Sequence, residues 1–189
     1  AVDAGGVDAT LVVDGFRFTG GIARTLSSPR VGMFGGGILC LDASPVFSNC
    51  RFESNVSGDA FNFGGGGGGF FWNSSARLVN CVFQGNAAQA GGGLYVLDSN
   101  LQLEGCTFTG NTLYDGTSTT YGAGIYVEGG AVVLTGVVCS GNTNADEGGG
   151  LYVQAATAVT AHGLECSANA ATNSGGGIRV ASGGSLVLH

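Results

Sequence analysis

The sequence predicts an all-β chain wound as a parallel solenoid of about six coils, with three short strands in each coil. Three observations carry this reading. A glycine triplet followed by an apolar alternation recurs along the chain. A second unit, Cys-x-Phe-x-x-Asn, precedes three of the six triplets, and variants of it precede others. A third short alternation completes each repeat, and Gly, Asn, Ser or Asp separates the segments. Period-two segments of this length are strands, and such separators are turn formers.

The triplet unit is clearest in Gly91-Gly92-Gly93-Leu94-Tyr95-Val96 and Gly148-Gly149-Gly150-Leu151-Tyr152-Val153. It recurs as Gly122-Ala123-Gly124-Ile125-Tyr126-Val127 and Gly175-Gly176-Gly177-Ile178-Arg179-Val180. Looser copies are Gly67-Gly68-Gly69-Phe70-Phe71-Trp72 and Gly35-Gly36-Gly37-Ile38-Leu39-Cys40. The last glycines, at 37, 69, 93, 124, 150 and 177, are spaced by 32, 24, 31, 26 and 27 residues. A fixed motif at variable spacing is the mark of a solenoid: stacked positions are constrained, and insertions leave as loops. Propeller blades need about 40–45 residues, and a sandwich has no self-similar triplet. Coils stacked about 4.8 Å apart place equivalent residues directly over one another.

The second unit reads Cys50-Arg51-Phe52 to Asn55, Cys81-Val82-Phe83 to Asn86 and Cys106-Thr107-Phe108 to Asn111. Two variants carry Cys139 with Asn142 and Cys166 with Asn169. Asn55, Asn86, Asn111, Asn142 and Asn169 thus form an amide ladder, each neighbour supplying donor and acceptor. Asparagine also tolerates a left-handed corner, which is expected at these positions. The third unit appears as Leu11-Val12-Val13, Leu101-Gln102-Leu103, Val132-Val133-Leu134, Val159-Thr160-Ala161 and Leu186-Val187-Leu188.

Composition bounds the function. Glycine makes 38 of 189 residues, proline only 2, and charged residues 10%, against about 25% charged in ordinary domains. Net charge is −7 and all six basic residues are arginine. A nucleic-acid partner needs a basic face that this chain lacks. No run of 18 apolar residues exists, so no membrane insertion by this segment is expected. The whole of 1–189 reads as one β-helix domain. Apolar strand repeats at both ends point to a segment of a longer chain, or to protomers that stack.

Phe-x-x-Asn (Phe52 to Asn55, Phe83 to Asn86, Phe108 to Asn111) paired with Gly-Gly-aliphatic (Gly92-Gly93-Leu94, Gly176-Gly177-Ile178) resembles the repeats of chlamydial polymorphic outer-membrane proteins. The same repeat is widespread in large bacterial surface proteins. The resemblance spans roughly residues 10–188 and implies a right-handed parallel β-helix of the pectate-lyase-like kind. It also implies an exported, cell-surface or outer-membrane-associated passenger with adhesive or structural roles. Partners on that reading are a protein or glycan at a surface, or copies of itself. The alternative is a carbohydrate-binding or polysaccharide-degrading β-helix.

Candidate sites follow from the alternation. Tyr95, Tyr126 and Tyr152, with Phe71 below them, are expected to form an outward aromatic stripe, structural or partner-facing. Three insertions (Thr19 to Phe34, Val56 to Asn62, Thr112 to Tyr121) leave one edge of the rod and carry Arg24, Arg30, Phe61, Tyr114, Asp115 and Tyr121. Loops on a rigid scaffold commonly bind, so this edge is the expected interaction surface. Cys139 and Cys166 stack within disulfide range, against the alternative of packed thiols. No Cys-x-x-Cys occurs, so no metal and no cofactor are expected. No catalytic residue is assigned. The acids scatter, and the nearest coincidence, Asp42, Asp98 and Glu128 just after one strand, reads as solvated turn residues.

Overall fold

The computed structural model describes residues 2–3, 11–23, 25–26, 32–58, 63–114, 119–156 and 158–189. No helix occurs among them. Three parallel sheets form the faces of a rod. The first face stacks Val12–Asp14, Val46–Ser48, Arg77–Val79, Asn100–Glu104, Ala131–Thr135, Ala158–His162 and Leu186–Leu188. The second stacks Arg17–Thr19, Arg51–Glu53, Val82–Gln84, Thr107–Thr109, Val138–Ser140 and Glu165–Ser167. The third stacks Val2–Asp3, Ile38–Leu41, Gly69–Trp72, Leu94–Leu97, Ile125–Glu128, Leu151–Gln154 and Ile178–Val180. Each strand bonds to the equivalent strand one coil away, as the repeat predicts.

The alternation sends every second side chain inward. Phe18, Phe52, Phe83, Phe108, Cys139 and Cys166 form one inward column. Its rings stack at 5.0, 4.6 and 4.7 Å. Leu94, Ile125 and Leu151 face them from the third sheet, and Leu101, Val132 and Val159 from the first.

One expectation about register is corrected here. Phe71 lies in the inward column Cys40, Phe71, Val96, Val127, Val153, Val180 and is fully buried. Its neighbour Phe70 is the residue in register with Tyr95. The triplet of that coil is therefore Gly66-Gly67-Gly68, and Gly69 pairs with Leu94 and Ile38. A run of six identical residues carries no internal marker of register.

A left-handed residue sits at each of four corners per coil. After the second face the corner residues are Gly20, Ser54, Gly85, Gly110, Gly141 and Ala168, with φ from 52° to 66°. The ladder asparagines follow these residues and are not themselves left-handed, contrary to expectation. Ala168, at φ 52°, pays about 1–2 kcal/mol for its Cβ in this region. Ala168→Gly is expected to stabilise the protein by about 0.5–1 kcal/mol after glycine's entropic cost, read as a rise in denaturant midpoint.

The two sequence motifs recur together for a steric reason. A Cβ on Gly93 would stand 2.5 Å from the Gly124 carbonyl oxygen, 3.0 Å from the Phe108 ring and 3.1 Å from the Asn111 amide nitrogen. Gly68 stands likewise against Phe83 and Asn86. The third glycine is the bare floor on which the phenyl ring and the amide lie.

Candidate functional site

Polar side chains in the rod are spent on neighbouring coils. Asn111 is representative of the buried ladder. Its Oδ1 accepts from the backbone N–H and the Nδ2 of Asn86, both at 3.0 Å. Its Nδ2 donates to the Phe83 carbonyl at 3.0 Å and to Asn142 Oδ1 at 2.9 Å. Asn55, Asn86 and Asn142 repeat the pattern, and Asn169 ends it, donating to the Cys139 carbonyl at 2.8 Å. At the N-terminal end Gly21 N–H donates to Asn55 Oδ1. A shorter serine ladder stands at the corner after the third face: Ala43 N–H donates to Ser74 Oγ, and Ser74 N–H to Ser99 Oγ. On the outside, Glu53 pairs with Arg17 and Arg51, each at 2.5 Å, and Arg77 pairs with Glu104 at 2.6 Å.

The tyrosine stripe is placed differently from its expectation. Phe70, Tyr95, Tyr126, Tyr152 and Arg179 form an outward column of the third face. Yet Tyr95, Tyr126 and Tyr152 are only 1%, 5% and 3% exposed. The chain segment before each triplet turns over this column. Its residues Phe34, Gly65, Ala90, Tyr121 and Glu147 stack beside it. Phe34 packs on Phe70 at 4.5 Å, and Tyr121 on Tyr152 at 4.7 Å. Gly65 leaves room for the Tyr95 ring, which a Cβ would meet at 2.4 Å. The stripe is thus a second hydrophobic core in a re-entrant corner outside the rod. The alternation shows which side of a strand a residue takes, but not what folds over it.

The phenol groups end this core in a polar seam. Tyr95 and Tyr126 both donate to Glu128 Oε2, Tyr152 donates to Gln154 Oε1 at 3.1 Å, and Arg179 Nε lies 3.5 Å from Glu147. Burial holds the Tyr126 phenol well above its ordinary range, with Tyr95 and Glu128 adding to it. Burial, then the nearby Glu147, pushes Tyr152 up to about 12. Both folded-state values exceed the unfolded value near 10. The stability they contribute is therefore complete below about pH 10 and is lost as pH rises above it, because the unfolded chain releases these protons first. Alkaline unfolding is expected above about pH 10, and Tyr126→Phe should reduce its steepness, measured by circular dichroism across pH 8–12.

Of the expected loop-edge residues, Arg24, Arg30, Phe61 and Asp115 lie outside the described residues. Tyr114 is half-buried, its N–H donating to the Ala88 carbonyl at 2.8 Å. Tyr121 belongs to the outer core, 5.9 Å from Tyr126. Asp42 and Asp98 occupy left-handed corner positions with Asn73 between them, whereas Glu128 is a strand residue in register with Leu97. That acid coincidence is not a column.

All six cysteines are free thiols. Cys139 and Cys166 are register partners and hydrogen-bond to each other without a disulfide. This bond and burial hold the Cys139 thiol well up. Cys50, Cys81 and Cys106 donate to carbonyls of the first-face strands at 3.2–3.6 Å. Thiols serve here as small apolar side chains with one weak donor.

Sequence reasoning missed two features. A hollow of about 250 Å³ lies beside the ladder, lined by Thr143, Asn144, Ala145, Ala170, Ala171 and Thr172. Asp146 ties three coils beside it, accepting from Thr120 N–H and Oγ1 and from Thr172 Oγ1. The second is the column Leu41, Trp72, Leu97, Glu128, Gln154 next to the tyrosines, half-exposed except at the buried Leu97. Its only sequence signal is the last position of each third-face strand. Among the described residues, no group of three or more His, Cys, Asp or Glu side chains is placed to hold a metal ion. No described helix is long and apolar enough to cross a membrane.

No curated protein sequence matches the chain significantly. The family model for the right-handed beta helix region matches residues 24–189. That span contains all but the first strand of each stacked face and the whole asparagine ladder, and with them the chain belongs to the right-handed β-helix family.

Proposed function

We propose that this protein is a non-enzymatic structural or adhesin-like scaffold, displayed at a cell surface or associated with an outer membrane. One observation carries the reading: the buried asparagine ladder is satisfied coil to coil, so its amides hold the rod together. The repeat variation is concentrated in the insertions, where coils differ in length while their ladder positions stay in register. The resemblance to chlamydial polymorphic outer-membrane repeats supports the same role, and end-to-end contact between copies fits a rod. Fold alone does not fix function, so the test is on binding. The native chain is expected to bind cell surfaces, and shortening 27–30, 59–62 and 115–118 is expected to abolish binding without lowering the melting temperature. Equal binding by the shortened chain would overturn the loop-edge assignment, and polysaccharide cleavage by the native chain would overturn the non-enzymatic one.

A second reading, carbohydrate binding, is favoured by the Trp72 column. A half-exposed indole offers an apolar platform, and Glu128 and Gln154 stand in the same column. On a glycan array, Trp72→Ala abolishes binding if this column is the site and leaves it unchanged if the loops are.

A further inference from the structure

The outer edge of the first face carries two imidazoles on adjacent rungs. His162 closes the strand Ala158–His162 and continues the column Ser48, Val79, Glu104, Thr135. His189 follows Leu188, which pairs with Ala161, so it falls on the next rung. Backbone bonds hold both rungs. His189 N–H donates to the Ala161 carbonyl at 2.9 Å, Gly163 N–H to the His189 carbonyl at 3.3 Å, and Gly136 N–H to the His162 carbonyl at 2.8 Å. The two rings are exposed and stacked, with centroids 4.6 Å apart and planes 15° from parallel.

We propose that His162 and His189 form a two-point site for a late first-row divalent cation, with water completing the coordination. Imidazole nitrogen suits copper, nickel and zinc. Metal–nitrogen bonds of about 2.0–2.1 Å set the two donor nitrogens about 3 Å apart, which rings already stacked reach by rotating about their exposed side-chain bonds. The sheet fixes both backbones in advance, so binding orders little more than two side chains. Exposure removes any desolvation cost for the protein's own ligands. The net charge of this part of the chain favours a cation: residues 81–189 carry one arginine against seven carboxylates, and net negative charge concentrates counter-ions. The site joins the last two described strands of the face, so an ion held there clamps Leu186–Leu188 to Ala158–His162.

Titration of the native chain with Ni²⁺ alone, followed by calorimetry, is expected to give one ion per chain. His162→Asn and His189→Asn should each weaken binding at least ten-fold, and the double variant should be little weaker than either, because a chelate is lost with one arm. Saturating Ni²⁺ should raise the melting temperature of the native chain and of neither variant. Cu²⁺ should bind more tightly than Ni²⁺. Both side chains lie outside the core, so the metal-free variants should melt as the native chain does. Binding unchanged in either histidine variant would overturn the site. So would its loss in Cys166→Ser, which would move the ion to the half-exposed thiol.

Discussion

Replacing Asn111 with alanine is expected to destabilise the protein by about 4–6 kcal/mol. The side chain is fully buried in the middle of the ladder. Its removal leaves the Asn86 backbone N–H, one Asn86 amide hydrogen and one bond of the Phe83 carbonyl without partners. Each buried orphan costs about 1–3 kcal/mol, and water cannot reach them through the neighbouring coils. That sum is a large share of the 5–15 kcal/mol typical of a folded domain. Asn111→Asp is expected to fare no better, because a carboxylate cannot donate to Phe83 or Asn142 and would carry charge into the core. Asn169→Ala is the control. Asn169 is partly exposed and its loss orphans groups nearer to solvent, so about 1–2 kcal/mol is expected. Urea unfolding of the three variants measures this. Equal losses at 111 and 169 would show that the ladder is decoration.

Phe83→Ala is expected to cost about 3–5 kcal/mol, the usual range for emptying a buried phenylalanine site. Its ring is fully buried between Phe52 at 4.6 Å and Phe108 at 4.7 Å. Little can close the gap, since the backbone on either side is fixed by rungs above and below and the third glycine offers no side chain to move in. Phe18→Ala, at the half-exposed end of the stack, should cost clearly less. A double-mutant cycle between Phe83 and Phe108 should return about 0.5–1.5 kcal/mol for the ring pair itself. Denaturant midpoints of the single and double variants provide the numbers, and a vanishing coupling would mean the rings merely fill volume.

The stacking was legible in the sequence wherever each coil carried its own marker. Phe52, Phe83 and Phe108 are neighbours because Cys two residues before and Asn three residues after pin their phase. Where the marker was repeated without variation, in Gly64 to Gly69, phase was lost by one residue and Phe71 exchanged places with Phe70. The burial of the tyrosines was not legible for another reason. It depends on Gly65, Ala90 and Tyr121, which sit a corner away and show no period of their own. The position of the left-handed residue was similarly hidden. Serine, glycine and alanine share that corner column, and only the backbone tells them from the asparagine that follows. The proposed loop edge lies in the insertions, which the repeat leaves free to vary, so the repeat carries no signal for it.

From Asn55 to Asn142 the ladder has one direction. Each amide nitrogen donates to the amide oxygen of the following coil as well as to a carbonyl of the preceding one. Such coils are interchangeable parts with one socket and one plug apiece. Tandem duplication of a single 25- to 31-residue stretch, the sequence separation between successive amides, would slot in without leaving a mismatched joint. Rods of this kind can change reach by whole steps while their chemistry stays the same.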